Sequence, residues 1–239
     1  MIPKFDINAD LGEGMANDEA LLSIVSSANI ACGGHAGSKD LMRQTVRLAL
    51  AKGVRIGAHP SFPDRENFGR TPMRMADEDM KTTLREQIAA LDAIAKEEGG
   101  RVFHVKPHGA LNNLACHDAG LAAMIAEIVR DYDPGLALFA PALSELYKAG
   151  VAAGLFVFAE IYADRAYDEG GMLVARNLPG AVIHDPEICA ARVRAMIEQG
   201  GIITQSGQLL ACPIDSICVH GDNAQAVQTA QAVRDVFTI

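Results

Sequence analysis

Polar and ionisable side chains recur at the C-terminal ends of short apolar runs in this chain, with Gly or Pro beside them. The runs are Phe5-Asp6-Ile7-Asn8-Ala9-Asp10, Ala31-Cys32-Gly33-Gly34-His35, Gly57-Ala58-His59-Pro60, Val102 to His108 through Lys106-Pro107, Phe158-Ala159-Glu160, and Val219-His220-Gly221-Asp222. Imidazoles and carboxylates move protons near neutral pH, and an ammonium holds an anionic oxygen. In parallel α/β architectures the carboxyl ends of the strands share one face, so such groups gather at one mouth. The pattern is that of an enzyme.

Asp6, Asn8 and Asp10 alternate with Phe5, Ile7 and Ala9, so at a period of two all three point to one face of the first strand. His104, Lys106 and His108 repeat this parity, and Pro107, which has no N–H, ends the ladder where the side chains emerge. A core histidine satisfied by a backbone carbonyl is the plainer account of His104. Cys32-Gly33-Gly34-His35-Ala36-Gly37 permits close backbone approach and positive φ, and Ser38 follows as an N-cap. No Gly-Lys-Ser/Thr follows it, so it is not a phosphate loop of the Walker kind. His220 and Asp222 bring an imidazole and a carboxylate to the end of the last strand, where Asp222 is also a candidate helix cap. Glu160, Asp164, Arg165, Tyr167 and Arg176 decorate an irregular segment, and Arg65, Arg70 and Arg74 an earlier loop; solvated loops alone would account for both.

The elements that must position these groups alternate between strand and amphipathic helix. Strands are expected over Phe5–Ala9, Ala28–Cys32, Val54–Ala58, Val102–Lys106, Leu136–Ala140, Leu155–Ala159 and Ser216–Val219. Helices are expected to start at Asp18 and to run over Ser38–Ala51, Asp77–Glu98, Asp118–Tyr132, Leu143–Ala149, Pro186–Glu198 and Ala224–Phe237. Ile202–Thr204 and Gln208–Ala211 flank Ser206-Gly207 as a hairpin. The stretch from Tyr162 to Asp185 has no clear period and is long enough to be a functional loop or lid. Seven principal strands separated by helices call for a mostly parallel sheet, and 239 residues suffice for one barrel domain over 1–239.

Composition narrows the function. The chain carries 21 basic and 30 acidic residues, a net charge of −9, with no Lys/Arg block, which argues against nucleic-acid binding. No leader pattern and no membrane-length apolar run is present, so a soluble, cytoplasmic protein is expected. The five cysteines lack CxxC spacing and are expected to be buried free thiols.

Taken together, Asn8-Ala9-Asp10-Leu11-Gly12-Glu13, Asn29 to Gly37 with its Cys-Gly-Gly-His core, Gly57-Ala58-His59-Pro60-Ser61-Phe62-Pro63-Asp64, Val105-Lys106-Pro107-His108-Gly109-Ala110-Leu111 and Val219-His220-Gly221-Asp222 resemble the LamB/YcsF family. The resemblance runs from Asp6 to Asp222. Asn112-Asn113 stands where the family often has tyrosine before asparagine. The resemblance implies a distorted (β/α)7 TIM-like barrel of the glycoside hydrolase/deacetylase kind. It also implies ATP-dependent hydrolysis of 5-oxo-L-proline to L-glutamate by a multi-subunit 5-oxoprolinase, in which such a chain is the A subunit beside partner subunits B and C.

Opening an unactivated lactam needs a base for water, an acid for the departing nitrogen, and cations or N–H groups for the carboxylate and phosphoryl oxygens. Asp10, His35, His59, His108 and Asp222 are the candidates for proton transfer. Asp6, Asn8, Glu13, Lys106, Glu160, Asp164, Arg165, Arg176 and His220 are the candidates for substrate binding, with Lys106, Arg165 and Arg176 for its anionic groups. The competing enzymatic account is a metal-dependent deacetylase or amide hydrolase. For it, Asp10, His35 and His59 offer a ligand set for a divalent metal that lowers the pKa of bound water to about 7 without ATP. A non-enzymatic account is a sugar-binding or regulatory subunit.

Overall fold

The computed structural model describes residues 5–221 and 224–237; Asp222 lies outside them. In chain order the elements are β1 (Asp6–Leu11), α1 (Asp18–Leu22), β2 (Ser27–Ala31), α2 (Lys39–Lys52), β3 (Arg55–His59), α3 (Asp77–Glu97), β4 (Val102–Val105), α4 (Gly109–Ala115), α5 (Ala119–Tyr132), β5 (Ala137–Pro141), α6 (Glu145–Ala152), β6 (Phe156–Tyr162), α7 (Pro186–Gln199), β7 (Gly201–Ile203), β8 (Leu209–Ala211), β9 (Ser216–Val219) and α8 (Ala226–Asp235). Strands β1 to β6 pair in sequence and β9 closes the ring between β6 and β1, all parallel. This is the TIM-like α/β barrel with seven strands. The antiparallel pair β7 and β8 forms the expected hairpin outside the ring.

The period-two pattern of β1 sets the layering. Ile7, Ala9 and Leu11 are buried in the core cluster that the helices share, while Asp6, Asn8 and Asp10 take the opposite face and meet polar partners across the barrel. Helix α2 shows why the helices sit where they do. Ser38 Oγ accepts from the Leu41 N–H at its start, Met42, Thr45, Val46 and Ala49 form its buried stripe, and Gly53 ends it at φ 68°.

Two elements differ from the sequence expectation. Helix α4 follows His108 directly and no periodic pattern announced it: it has seven residues, begins on Gly109 and lacks a side-chain cap. Strand β6 runs three residues beyond the expected end at Ala159. Glu160 would stop an ordinary apolar strand, but here it faces the barrel interior, where Lys106 stands 2.9 Å from it.

The segment from Tyr162 to Asp185 is an ordered cover. Short bridges join Arg165 to Val182 and Tyr167 to Leu173, Ala166, Val174 and Ala181 form a small apolar cluster, and the Tyr167 hydroxyl accepts from the Tyr162 N–H at 2.7 Å. All five cysteines are free and four are buried.

Candidate active site

The barrel interior is a layered hydrogen-bond network. At the bottom, Asp6 accepts from Ser27, Ser216 and Arg55 at 2.6–2.7 Å. Above it, Asn8 donates to Glu160 and Ser216, both at 2.8 Å, and Asn29 donates to Asn8 (2.7 Å) and Asp10 (2.8 Å). His104 donates from Nε2 to the Asn29 side-chain oxygen at 2.7 Å and stacks on Phe139. Its partner is thus a side chain, not the backbone carbonyl considered from sequence. Gly57 makes room for it, since a Cβ there would lie 1.9 Å from His104 Nε2.

Lys106 rises through this network to the mouth. Its ammonium is 3.0 Å from Asn8 Oδ1, 2.9 Å from Glu160 Oε1, 3.0 Å from Cys218 Sγ and 3.4 Å from Asp10 Oδ1. Burial pulls the ammonium pKa down, but the Asp10 and Glu160 carboxylates outweigh it and hold it well above the usual lysine value. Burial likewise pushes Asp10 up, yet His59 and Lys106 keep it well below the ordinary carboxylate range. Both groups are therefore charged at neutral pH.

At the carboxyl ends of the strands lies a cavity of about 300 Å³. Asp10, Glu13, His59, Lys106, His108, Arg165, Arg176 and His220 line it, together with Arg70, Asn112 and Tyr162. His59 Nε2 is 3.4 Å from Asp10 Oδ2 and 3.0 Å from His108 Nδ1. His35 lies behind this wall, stacked on His108 at 3.7 Å with its Nε2 3.0 Å from Glu13 Oε1. The His35 loop and the Ser61 loop approach so closely that a Cβ on Gly34 would fall 2.5 Å from Ser61 Oγ, and Gln87 of α3 clamps the Ser61 backbone through both its N–H and C=O. His220 donates from Nδ1 to Asp164 at 2.8 Å. Burial raises Asp164, but the adjacent His220 lowers it further, so its carboxyl sits below the usual value.

Burial, with His59 nearby, lowers His35 to about 3 and His108 to about 2. Both imidazoles, candidates for proton transfer from sequence, are thereby held toward the neutral form near pH 7. Tyr162 is pushed well above its ordinary value by burial and by Glu160, and remains a phenol.

Several expected substrate contacts have another role. Asp6, Asn8 and Glu160 lie beneath the cavity with 0–3% exposure and meet internal partners, although one Glu160 oxygen has no hydrogen-bond partner. Asp164 faces His220, and Arg165 gives two N–H groups to the Val174 and Ala181 carbonyls, bracing the cover. Arg65 donates to the Gly33 and Gly37 carbonyls, so of the three loop arginines only Arg70 reaches the cavity wall. Arg70 stood out in the sequence only as one of three loop arginines and Asn112 only as a departure from the family pattern; closure of the barrel brings both to the cavity wall, with Tyr162. For a metal, Glu13, His35, His59 and His108 offer ligand atoms within 4.8 Å of one another, while Asp10 falls in a separate group with Cys218 and His220. That arrangement differs from the Asp10, His35 and His59 set anticipated from sequence.

The model of the LamB/YcsF family matches residues 5–238. The chain belongs to the LamB/YcsF family. It is 53% identical over 239 aligned positions to the A subunit of 5-oxoprolinase from Azoarcus sp. (strain BH72), covering 98% of this chain and 93% of that protein. The crystal structure of the lactam utilization protein from Thermus thermophilus superposes with a TM-score of 0.91 at 40% identity, covering 98% and 96% of the two chains. A putative cellobiose-phosphate cleavage protein from Enterococcus faecalis V583 has a TM-score of 0.59 at 13% identity, covering 97% and 90%, a likeness of fold alone. No helix among the described residues is long and apolar enough to cross a membrane.

Proposed function

We propose that this LamB/YcsF chain opens 5-oxo-L-proline to L-glutamate in an ATP-coupled hydrolysis, as the A subunit beside partner subunits B and C. The observation that carries this reading is the cavity of about 300 Å³, which joins guanidinium groups, a paired carboxylate and imidazole, and an oriented histidine in one small chamber. Its size is at the lower end for ligand pockets, suited to a single small ring. The relative named as the A subunit of 5-oxoprolinase supports the choice of lactam.

An unactivated lactam resists water because its carbonyl is a weak electrophile and its nitrogen a poor leaving group. Phosphorylation of the lactam oxygen by ATP removes the first obstacle. Water then adds to the ring carbon and the carbon–nitrogen bond breaks as the nitrogen gains a proton, leaving an acyl phosphate. A second water attacks its carbonyl carbon and displaces phosphate with the former lactam oxygen, which gives glutamate, ADP and phosphate. Asp10, 3.4 Å from His59, receives the proton of the attacking water. His220, held through its Nδ1 proton by Asp164, acts in its imidazolium form, which that carboxylate stabilises, and gives its Nε2 proton to the departing nitrogen. Arg70 and Arg176 hold the carboxylate and phosphoryl oxygens at the cavity wall. Asn112 is buried there with its side-chain oxygen unpartnered and accepts the lactam N–H.

The test is glutamate release by the chain combined with its B and C partners. His220→Asn retains some hydrogen-bonding capacity but no acid function, and should lower turnover at least about 100-fold. Near-wild-type turnover in both His220→Asn and Asp10→Asn would overturn the assignment.

A further inference from the structure

The hydrogen positions around His59 and His108 are forced by their outer partners. His59 Nδ1 lies 2.7 Å from the Lys106 carbonyl and His108 Nε2 lies 3.0 Å from the Phe68 carbonyl. A carbonyl only accepts, so each of those nitrogens carries a proton. The remaining nitrogens, His59 Nε2 and His108 Nδ1, face each other 3.0 Å apart. When both rings are neutral these are two lone pairs, which repel unless they share a proton or bind one metal ion beside the line that joins them. Phe68 takes φ 57°, a conformation unusual for a bulky residue, and its carbonyl is what fixes His108.

We infer that His59 Nε2, His108 Nδ1 and the Glu13 carboxylate form a site for a divalent transition-metal ion of the zinc class, open to the cavity, with His35 holding Glu13 in place. The two rings meet edge to face at 81°, with their facing nitrogens and a Glu13 oxygen all within 4.8 Å of one another. For an ion bound at about 2.0–2.1 Å by each nitrogen, at angles between square and tetrahedral, the nitrogens stand about 2.9–3.4 Å apart, which the observed spacing meets. Glu13 Oε1 is 3.9 Å from His108 Nδ1 and within 4.8 Å of the His59 nitrogen, and moves inward to bind.

His35 belongs to the same group of ionisable residues but not to the ligand set. It is stacked on His108 with only 7° between the planes. Parallel stacked rings send their lone pairs along parallel lines, and both cannot meet one ion in plane. His35 Nε2 instead donates to Glu13 Oε1, while Nδ1 lies 3.0 Å from the Ser61 hydroxyl. Glu13, His59 and His108 all line the cavity and His35 does not, so the open coordination position faces the chamber. A ligating histidine whose other N–H is held by a carbonyl, and a ligating carboxylate held by a further donor, are the usual supports of a metal site.

Two imidazoles and one carboxylate select a zinc-class ion over Mg²⁺ or Ca²⁺, which take oxygen ligands. The second candidate group, Asp10, Cys218 and His220, is not suited to one. Cys218 is fully buried, its thiol is pushed well above its ordinary pKa by burial, and its sulfur already meets Lys106.

The experiment uses full-length, tag-free protein stripped with a chelator, titrated separately with Zn²⁺, Co²⁺ and Mg²⁺ by calorimetry, with the visible Co²⁺ spectrum recorded in parallel. One Zn²⁺ or Co²⁺ per chain is expected, with Mg²⁺ weaker by at least about 100-fold. His108→Asn and Glu13→Gln should each weaken Zn²⁺ binding at least about 100-fold with an unchanged circular dichroism spectrum. His35→Asn should weaken it about 10- to 100-fold, as loss of a supporting contact does. Binding unaffected in a folded Glu13→Gln or His108→Asn variant would overturn the site. So would a sulfur-to-cobalt charge-transfer band lost in Cys218→Ser, which would place the ion in the other group. Absence of Zn²⁺ and Co²⁺ binding to the folded wild-type chain would leave a shared proton between the two imidazoles and would also overturn it. The readout is ion binding, so it stands or falls independently of the substrate proposed above.

Discussion

Lys106→Met is the substitution whose effect the structure fixes most closely. The ammonium is 2% exposed and is the positive charge within reach of two buried carboxylates, Glu160 at 2.9 Å and Asp10 at 3.4 Å. Methionine matches its length but takes the ammonium from Glu160, which already has one oxygen without a hydrogen-bond partner, and leaves Asp10 to His59 and Asn29. Removing one member of a buried ion pair costs about 3–5 kcal/mol, mostly the penalty of the charge left behind. For a chain of this size each kcal/mol lowers the melting temperature by about 2–4 °C, so the variant should melt about 6–20 °C lower. Urea unfolding followed by circular dichroism gives the free energy directly. Glu160→Gln in the Lys106→Met background should recover at least about 1 kcal/mol, because it removes a stranded charge, whereas the same change in the wild-type background should destabilise. A loss below about 1 kcal/mol for Lys106→Met, or equal effects of Glu160→Gln in both backgrounds, would show that the lysine is not the counter-charge of this network. The sequence had suggested Lys106 as an anion hold whose loss spares the fold; its saturated donors predict a structural cost instead.

Gly57→Ala puts a methyl 1.9 Å from His104 Nε2 and forces the ring off Asn29 and Phe139, so a loss of at least about 1–3 kcal/mol is expected by thermal unfolding; an unchanged midpoint would contradict the packing. The folded-state pKa of Asp164 is depressed, so its pairing with His220 contributes stability above the unfolded carboxylate value of about 3.9, lost as pH falls through the lower folded value. Asp164→Asn should therefore flatten the acid side of the stability profile below about pH 4, and a profile parallel to wild type would refute that role. Arg165→Lys cannot reproduce two directed bonds to the Val174 and Ala181 carbonyls; faster proteolytic cleavage within 162–185 is expected, and unaltered cleavage would remove Arg165 as the brace.

The inward face of the barrel was legible because strand parity is local: Asp6, Asn8 and Asp10 on one strand, and His104, Lys106 and His108 along another, point where their spacing says. What those groups touch was not legible, since it depends on register. Asn8 meets Glu160 and Ser216, respectively 152 and 208 residues away. Pairing across the closed ring turned Asp6, Asn8 and Glu160 from substrate contacts into supports. Glu160 also concealed the last residues of β6, because an acidic residue in an apolar run reads as a strand end unless a lysine waits inside the barrel. Helix α4 escaped notice because it is short and starts on glycine. Arg70 was one of three similar loop arginines, and only the fold shows that Arg65 binds backbone while Arg70 meets the cavity.

The central claim is that this chain opens a lactam at the barrel mouth at the expense of ATP and with its partners. Its most direct test is the stoichiometry of ADP and L-glutamate released from 5-oxo-L-proline by the chain mixed with subunits B and C, with each component and ATP omitted in turn. One ADP per glutamate is predicted, with glutamate absent whenever this chain, either partner or ATP is left out. Glutamate formed without ATP, or at an undiminished rate without this chain, would contradict the account.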